Sequence, residues 1–165
     1  MQYYQLSVPG DVAQAEPNAA GISLALGPMT SSHLYREDRI VYSSGAEQMG
    51  TYEYQRWTEP PAEMISEVLL RELRASGRYR EVYSRRSSSR SDYVLRAQLY
   101  DFKEVPGSPL TARVTADWQL YDAKTGMTVW SHHYNHDEPV GGKDVPAIVS
   151  ALDKNVQRAV GEVKA

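Results

Sequence analysis

Between Tyr93 and Tyr134 the chain alternates apolar and polar residues in successive runs, and this pattern constrains the fold more than any other feature. Tyr93, Leu95, Ala97 and Leu99 are separated by residues such as Arg96 and Gln98. Ala112, Val114, Ala116, Trp118 and Leu120 alternate with Arg113, Thr115, Asp117, Gln119 and Tyr121. A period of two belongs to strands with one buried face. Val105-Pro106-Gly107-Ser108-Pro109 can only be a loop. Asp122-Ala123-Lys124-Thr125-Gly126 is a tight turn leading into a third strand over Met127 to Tyr134. Strands joined this way form an antiparallel meander.

Other segments read as strands around that meander. Tyr3 to Val8 is a short strand stopped by Pro9-Gly10, and Asp11 to Gly21 is a polar loop. Ile22 to Leu26 is a strand that Gly27-Pro28 should end. Arg39 to Ser44 and Gly50 to Trp57 are expected to pair as a hairpin across Gly45-Ala46-Glu47-Gln48. Tyr79 to Tyr83 returns to the sheet. Ser84 to Ser91 has no apolar residue and reads as a solvated loop.

Two segments carry helical periodicity instead. After Glu59-Pro60-Pro61, the residues Met64, Ile65, Val68, Leu69 and Leu73 form one stripe, and Gly77 is placed to cap its end. From about Asp144 to Val163 a second stripe contains Val145, Ile148, Val149, Leu152, Val156, Val160 and Val163. Each stripe must be buried, so both helices should lie on the same sheet face. The expected fold is α+β: a two-layer sandwich with a mostly antiparallel sheet and two amphipathic helices on one face. At 165 residues it forms one domain, residues 1–165.

Composition and motifs narrow the chemistry. A net charge of -3 gives no basic face for nucleic acid or for anionic lipid. No cysteine is present, which excludes disulfides, thiolate metal sites and a cysteine nucleophile. No stretch approaches the ~20 apolar residues of a spanning helix. Gly141-Gly142-Lys143 lacks the rest of a phosphate-binding loop, and no Gly-x-Ser-x-Gly elbow occurs. Asp101 and Glu104 lie at a strand end with no reason to converge. Of the four histidines, three fall in His132-His133-Tyr134-Asn135-His136. On a strand, His132 and His136 stand about 13 Å apart, too far to share a metal unless the chain turns at Asn135. The expectation is therefore no catalytic residues, no metal and no cofactor.

Tyrosine is the exception to an ordinary composition: there are 12 Tyr and 3 Trp but one Phe. The densest group is Tyr52-Glu53-Tyr54-Gln55-Arg56-Trp57, where alternation puts Tyr52 and Tyr54 on one face. Tyr, Arg and Trp dominate binding hot spots because they join a large apolar body to a polar tip. Tyr42, Tyr52, Tyr54 and Arg56 are accordingly the candidate partner-binding residues, with Trp57 anchoring the following helix.

These features also occur together in a known order. The Tyr-Tyr-x-Leu start, the Tyr52 to Trp57 box, Pro60-Pro61, Ser76-Gly77, Asp92-Tyr93-Val94-Leu95, Asp101-Phe102, and Asp122 to Gly126 before Val129-Trp130 resemble the ABC-type transport auxiliary lipoproteins. That resemblance implies a periplasmic lipoprotein held in the outer membrane. It would accompany an ABC ATPase, a permease and a mammalian-cell-entry (MCE) domain protein that move lipids or other hydrophobic molecules. Its role would be docking on the MCE-domain protein, with lipid binding and a homo-oligomer left open. It further implies that a signal peptide and a lipid-bearing cysteine precede the present Met1. Two other readings stay open: an envelope lipoprotein that regulates a cell-wall enzyme, and a stand-alone lipid carrier, which needs an apolar cavity between helices and sheet.

Overall fold

The computed structural model describes residues 1–7, 20–44, 48–84 and 91–164. The expected turns at Pro9-Gly10 and Gly45 to Glu47, the loop up to Ala19 and the run Arg85 to Arg90 lie outside the described residues. The elements are β1 (Gln2–Tyr4), β2 (Ala20–Ser31), a 3-10 turn (His33–Tyr35), β3 (Arg39–Ser43), β4 (Met49–Trp57), α1 (Pro61–Ala75), β5 (Tyr79–Tyr83), β6 (Tyr93–Val105), β7 (Thr111–Asp122), β8 (Thr128–Pro139) and α2 (Val145–Lys164).

The meander exists as expected. β6 pairs antiparallel with β7 and β7 with β8 along nearly their whole lengths. The other side of β6 is shared by two strands, both parallel to it. β2 takes the half from Tyr93 to Leu99, and β3 takes Lys103 and Glu104. The sheet therefore forks: β8-β7-β6 continues either into β2-β5 or into β3-β4-β1. It is a mixed open sheet in which the longest ladders are antiparallel, with two helices, and the class is α+β.

β2 runs further than expected, straight through Gly27-Pro28. The ladder to β6 shifts register between Leu26 and Met29, and Pro28 sits in that irregularity, where a missing N–H breaks no regular pairing. Gly27 is required there, because a Cβ would stand 2.9 Å from Arg96 Cγ and 3.1 Å from Val94 Cγ1. β1 is shorter than expected. After Tyr4 the chain leaves the sheet, buries Leu6 and ties Ser7 to α2: Ser7 donates to Asp153 through its backbone N–H (3.0 Å) and its hydroxyl (2.6 Å).

Both helices lie on one face, as their stripes required. α1 packs on β2 and β5, α2 on β7 and β8, and the helices touch each other. Val68, Leu73, Ile148, Leu152 and Val156 are buried with Leu99, Phe102, Val114 and Trp118. At roughly 1.5–3 kcal/mol for each large side chain buried, this layer supplies most of the driving force. The opposite face carries polar cross-strand pairs instead. Arg96 stacks over Tyr121 at 4.8 Å, Tyr100 donates to Asp117 at 3.0 Å, and Arg113 forks onto Asp137 at 2.8 and 3.1 Å.

Candidate functional site

The hairpin β3–β4 forms as expected, but its register is uneven. Val41 faces Thr51, whereas Arg39 faces Arg56. Two steps along β3 thus oppose five along β4, and the excess residues between Tyr52 and Gln55 bulge outward. The simple alternation expected for Tyr52 and Tyr54 ends there: Glu53 and Tyr54 are both exposed, Tyr54 by 63%.

Tyr42 and Tyr52 meet edge to face, their centroids 5.0 Å apart, and the Tyr52 hydroxyl donates to Glu104 Oε1 at 2.6 Å. Tyr42 lies across Gly50, where an added Cβ would come 2.6 Å from its hydroxyl oxygen. Burial, and then the bond to Glu104, push the Tyr52 hydroxyl well above the usual tyrosine range, so it stays a neutral donor. Arg56 is half-buried, with Nη1 3.2 Å from Asp38 Oδ1. Trp57 is buried against Phe102 at 5.3 Å.

The four candidate residues therefore divide. Tyr42 and Tyr52 form one aromatic pair fixed by Glu104, Arg56 is held by Asp38, and Tyr54 stands alone in solvent. Asp38 and Gly50 are supporting residues that sequence reasoning passed over, and Glu104, weighed there only beside Asp101, is a third. A glycine directly after Met49 in a tyrosine-rich strand is the one local signal that could have marked the seat of an aromatic ring. Such a surface offers a rigid aromatic contact with fixed polar tips.

The histidine segment does not gather. His132 lies 3.4 Å from Glu162, His136 is 3.0 Å from Glu138, and His133 contacts Asp117. Among the described residues no three His, Asp or Glu side chains converge as a metal site. Asp101 pairs with Lys103 at 3.5 Å while Glu104 turns to Tyr52, so those carboxylates stay apart. Between α1 and the sheet, Leu26, Met29, Leu69, Leu95 and Trp118 enclose about 10 Å³. That is room for one water at most. No helix among the described residues is long and apolar enough to cross a membrane.

Comparison with known proteins follows the same outline. The model of the family described as ABC-type transport auxiliary lipoprotein component matches residues 4–164. No protein of curated function matches the chain in sequence. In structure it resembles protein XCC0632 from Xanthomonas campestris, with a TM-score of 0.86 at 18% identity, over 98% of this chain and 91% of that one. A point variant of the PelC dodecamer from Paraburkholderia phytofirmans gives a TM-score of 0.56 at 18% identity, over 94% and 100%. The hypothetical protein CT253 from Chlamydia trachomatis gives 0.59 at 10% identity, over 88% and 96%. At these identities the likeness is one of fold.

Proposed function

The chain belongs to the ABC-type transport auxiliary lipoprotein family, and from that premise we propose that it is a non-catalytic periplasmic accessory of a transporter containing an MCE-domain protein. It docks on that protein, is held at the outer membrane by an N-terminal lipid, and serves the movement of lipids or other hydrophobic molecules. Self-association belongs to the same reading, supported by a structurally similar protein that crystallises as a dodecamer. The observation that carries the docking role is the β4 bulge. Both helices have their apolar stripes committed to the sheet, whereas Tyr54 is thrust into solvent beside the fixed Tyr42–Tyr52 pair. A large side chain kept exposed on a rigid edge is what a hot spot requires. Among the described residues the cleft beneath α1 lends a stand-alone carrier no support, since its space of about 10 Å³ cannot take an acyl chain.

The test is capture of the MCE-domain partner by the purified protein and by Tyr54→Ala. Loss of a hot spot of about 2 kcal/mol should weaken binding roughly thirtyfold. The thermal midpoint should move by only about 1–2 °C, because an exposed substitution costs within about 0.5 kcal/mol. Undiminished capture by Tyr54→Ala combined with Tyr52→Phe and Arg56→Ala would place the contact elsewhere.

A further inference from the structure

The far end of the β7–β8 hairpin is bare. Ala123 to Ser131 are all exposed, and three of these residues are large and apolar: Met127, Val129 and Trp130, exposed by 68%, 54% and 36%. Neither sheet face is covered there. Thr128 stands opposite Tyr121 and Trp130 opposite Leu120, neighbours in β7 whose side chains point to opposite faces. Lys124 is the one charged residue of the stretch. The next carboxylate along the chain, Asp122, is turned inward, its Oδ1 accepting from the N–H groups of Lys124 (2.8 Å) and Thr125 (3.2 Å). An apolar end of this kind marks contact with either a protein or a membrane.

Two features point to lipid as the occupant. First, every backbone N–H from Asp122 to Met127 is bonded within the protein. Besides those of Lys124 and Thr125, Asp122 donates to the Met127 carbonyl (2.9 Å) and Ala123 to that of Asp92 (3.0 Å). Gly126 donates to the Asp122 carbonyl (2.8 Å) and Met127 to the Thr125 hydroxyl (3.2 Å). A turn in water can leave such groups to solvent, whereas a turn that enters lipid must satisfy them internally. Second, the edge is a poor template for another strand. Val129 is an extra residue between the pairs Tyr121–Thr128 and Leu120–Trp130, and a bulge blunts strand addition. What remains is an apolar tip with Trp130 at its shoulder, the indole braced on the His132 ring at 5.8 Å and 13° from parallel. Aliphatic side chains outermost, then an indole, then imidazoles is the order of a membrane interface. Lys124 can lay its stem along the lipid and keep its ammonium among headgroups.

We propose that the tip from Lys124 to Trp130 inserts into the headgroup and upper acyl region of a neutral lipid surface. The chain's net charge of -3 gives no pull towards anionic lipid, so apolar burial drives the insertion. This contact stands apart from docking on the MCE-domain protein, but it sets an orientation that rests on that reading. Val41 of β3 pairs with Lys103, ten residues along β6 from Tyr93, which pairs with Asp122 at the base of the tip. The β3–β4 hairpin is thereby held about 30 Å from the lipid, on the aqueous side. β1 lies on the same branch, so an N-terminal lipid reaches that surface through a tether of about ten extended residues.

Trp57 and Trp118 are each 1% exposed, so a change in tryptophan emission on adding vesicles reports Trp130. With vesicles of phosphatidylcholine and phosphatidylethanolamine the emission should move to the blue, and brominated acyl chains should quench it. In Trp130→Phe both signals should vanish. Cosedimentation supplies a readout free of fluorescence. Met127→Asp and Trp130→Ala should weaken partitioning tenfold or more, with thermal midpoints near that of the parent and MCE capture intact. High salt should leave the parent's binding unchanged. Absence of both the emission shift and cosedimentation overturns the proposal. So does a shift that appears with rising protein concentration alone, which assigns the tip to a second copy. Binding that needs anionic lipid and fails in salt overturns it as well. Failed MCE capture beside intact vesicle binding would sink only the docking role.

Discussion

Tyr35 is 1% exposed and its hydroxyl is pushed up to about 12 by burial. Burial also raises the hydroxyls of Tyr52 and Tyr134. For an acid whose folded value lies above its unfolded value near 10, stability is complete below pH 10. It is lost as pH rises from there towards the folded value, because the unfolded chain releases the proton first. Tyr35 alone accounts for about 2–3 kcal/mol of such loss. Unfolding in urea should therefore show stability falling between pH 10 and 11.5, and Tyr35→Phe should flatten that fall while costing about 1 kcal/mol or less at pH 7. An unchanged slope in Tyr35→Phe would mean that its hydroxyl is hydrated. Tyr134 is held differently. Its hydroxyl donates to Asn155 Oδ1 at 2.5 Å, while Asn155 Nδ2 donates to the carbonyls of Ala112 and His136 at 2.9 and 2.7 Å. Asn155 is fully buried, so one satisfied amide fixes where α2 sits on β7 and β8.

The helices were legible in sequence because their ends are chemically marked. Pro60 and Pro61 open α1 where no backbone N–H is needed, and Asp144 accepts from the Ala147 N–H at 3.0 Å at the start of α2. Gly77 closes α1 at φ 68°, the left-handed region, with its N–H on the Arg74 carbonyl at 3.3 Å. Gly77→Ala should cost about 1–2 kcal/mol in urea unfolding without changing the fold; a neutral result would mean that the helix end can unwind at no cost. Strand limits were less legible. Gly27-Pro28 is a stop signal in isolation, yet the β2–β6 register shift absorbs it. The β4 bulge left no trace either, because residues that loop out of a ladder need not disturb the local alternation. That bulge separates Tyr54 from Tyr52, so the candidate residues could be named from sequence but not apportioned between scaffold and surface.

At the scale of the whole molecule, what sequence could not show is the fork. The meander is written locally, whereas β2 and β3 share one side of β6 through pairings that join Leu24 to Tyr93 and Val41 to Lys103. Such contacts depend on closing long loops, and nothing in either short segment encodes its partner. The fork also makes β6 the element on which both branches depend: β7 covers one side along its length, and removing β6 would detach β2-β5 and β3-β4-β1 alike. β1, by contrast, is three residues long, pairs only with β4 among the described strands, and exposes Tyr3 by 60%. Local opening should follow that hierarchy, since it is easiest where few buried contacts must break. Amide hydrogen exchange should be slowest in β6 and β7, at Leu95, Leu99, Val114 and Ala116, intermediate in the β3–β4 branch, and fastest in β1. If the β3–β4 amides instead exchange as slowly as those of β6, the two branches unfold as one unit. The hairpin that carries Tyr54 would then open only together with the core, and the contact surface it presents would be as stable as the fold itself.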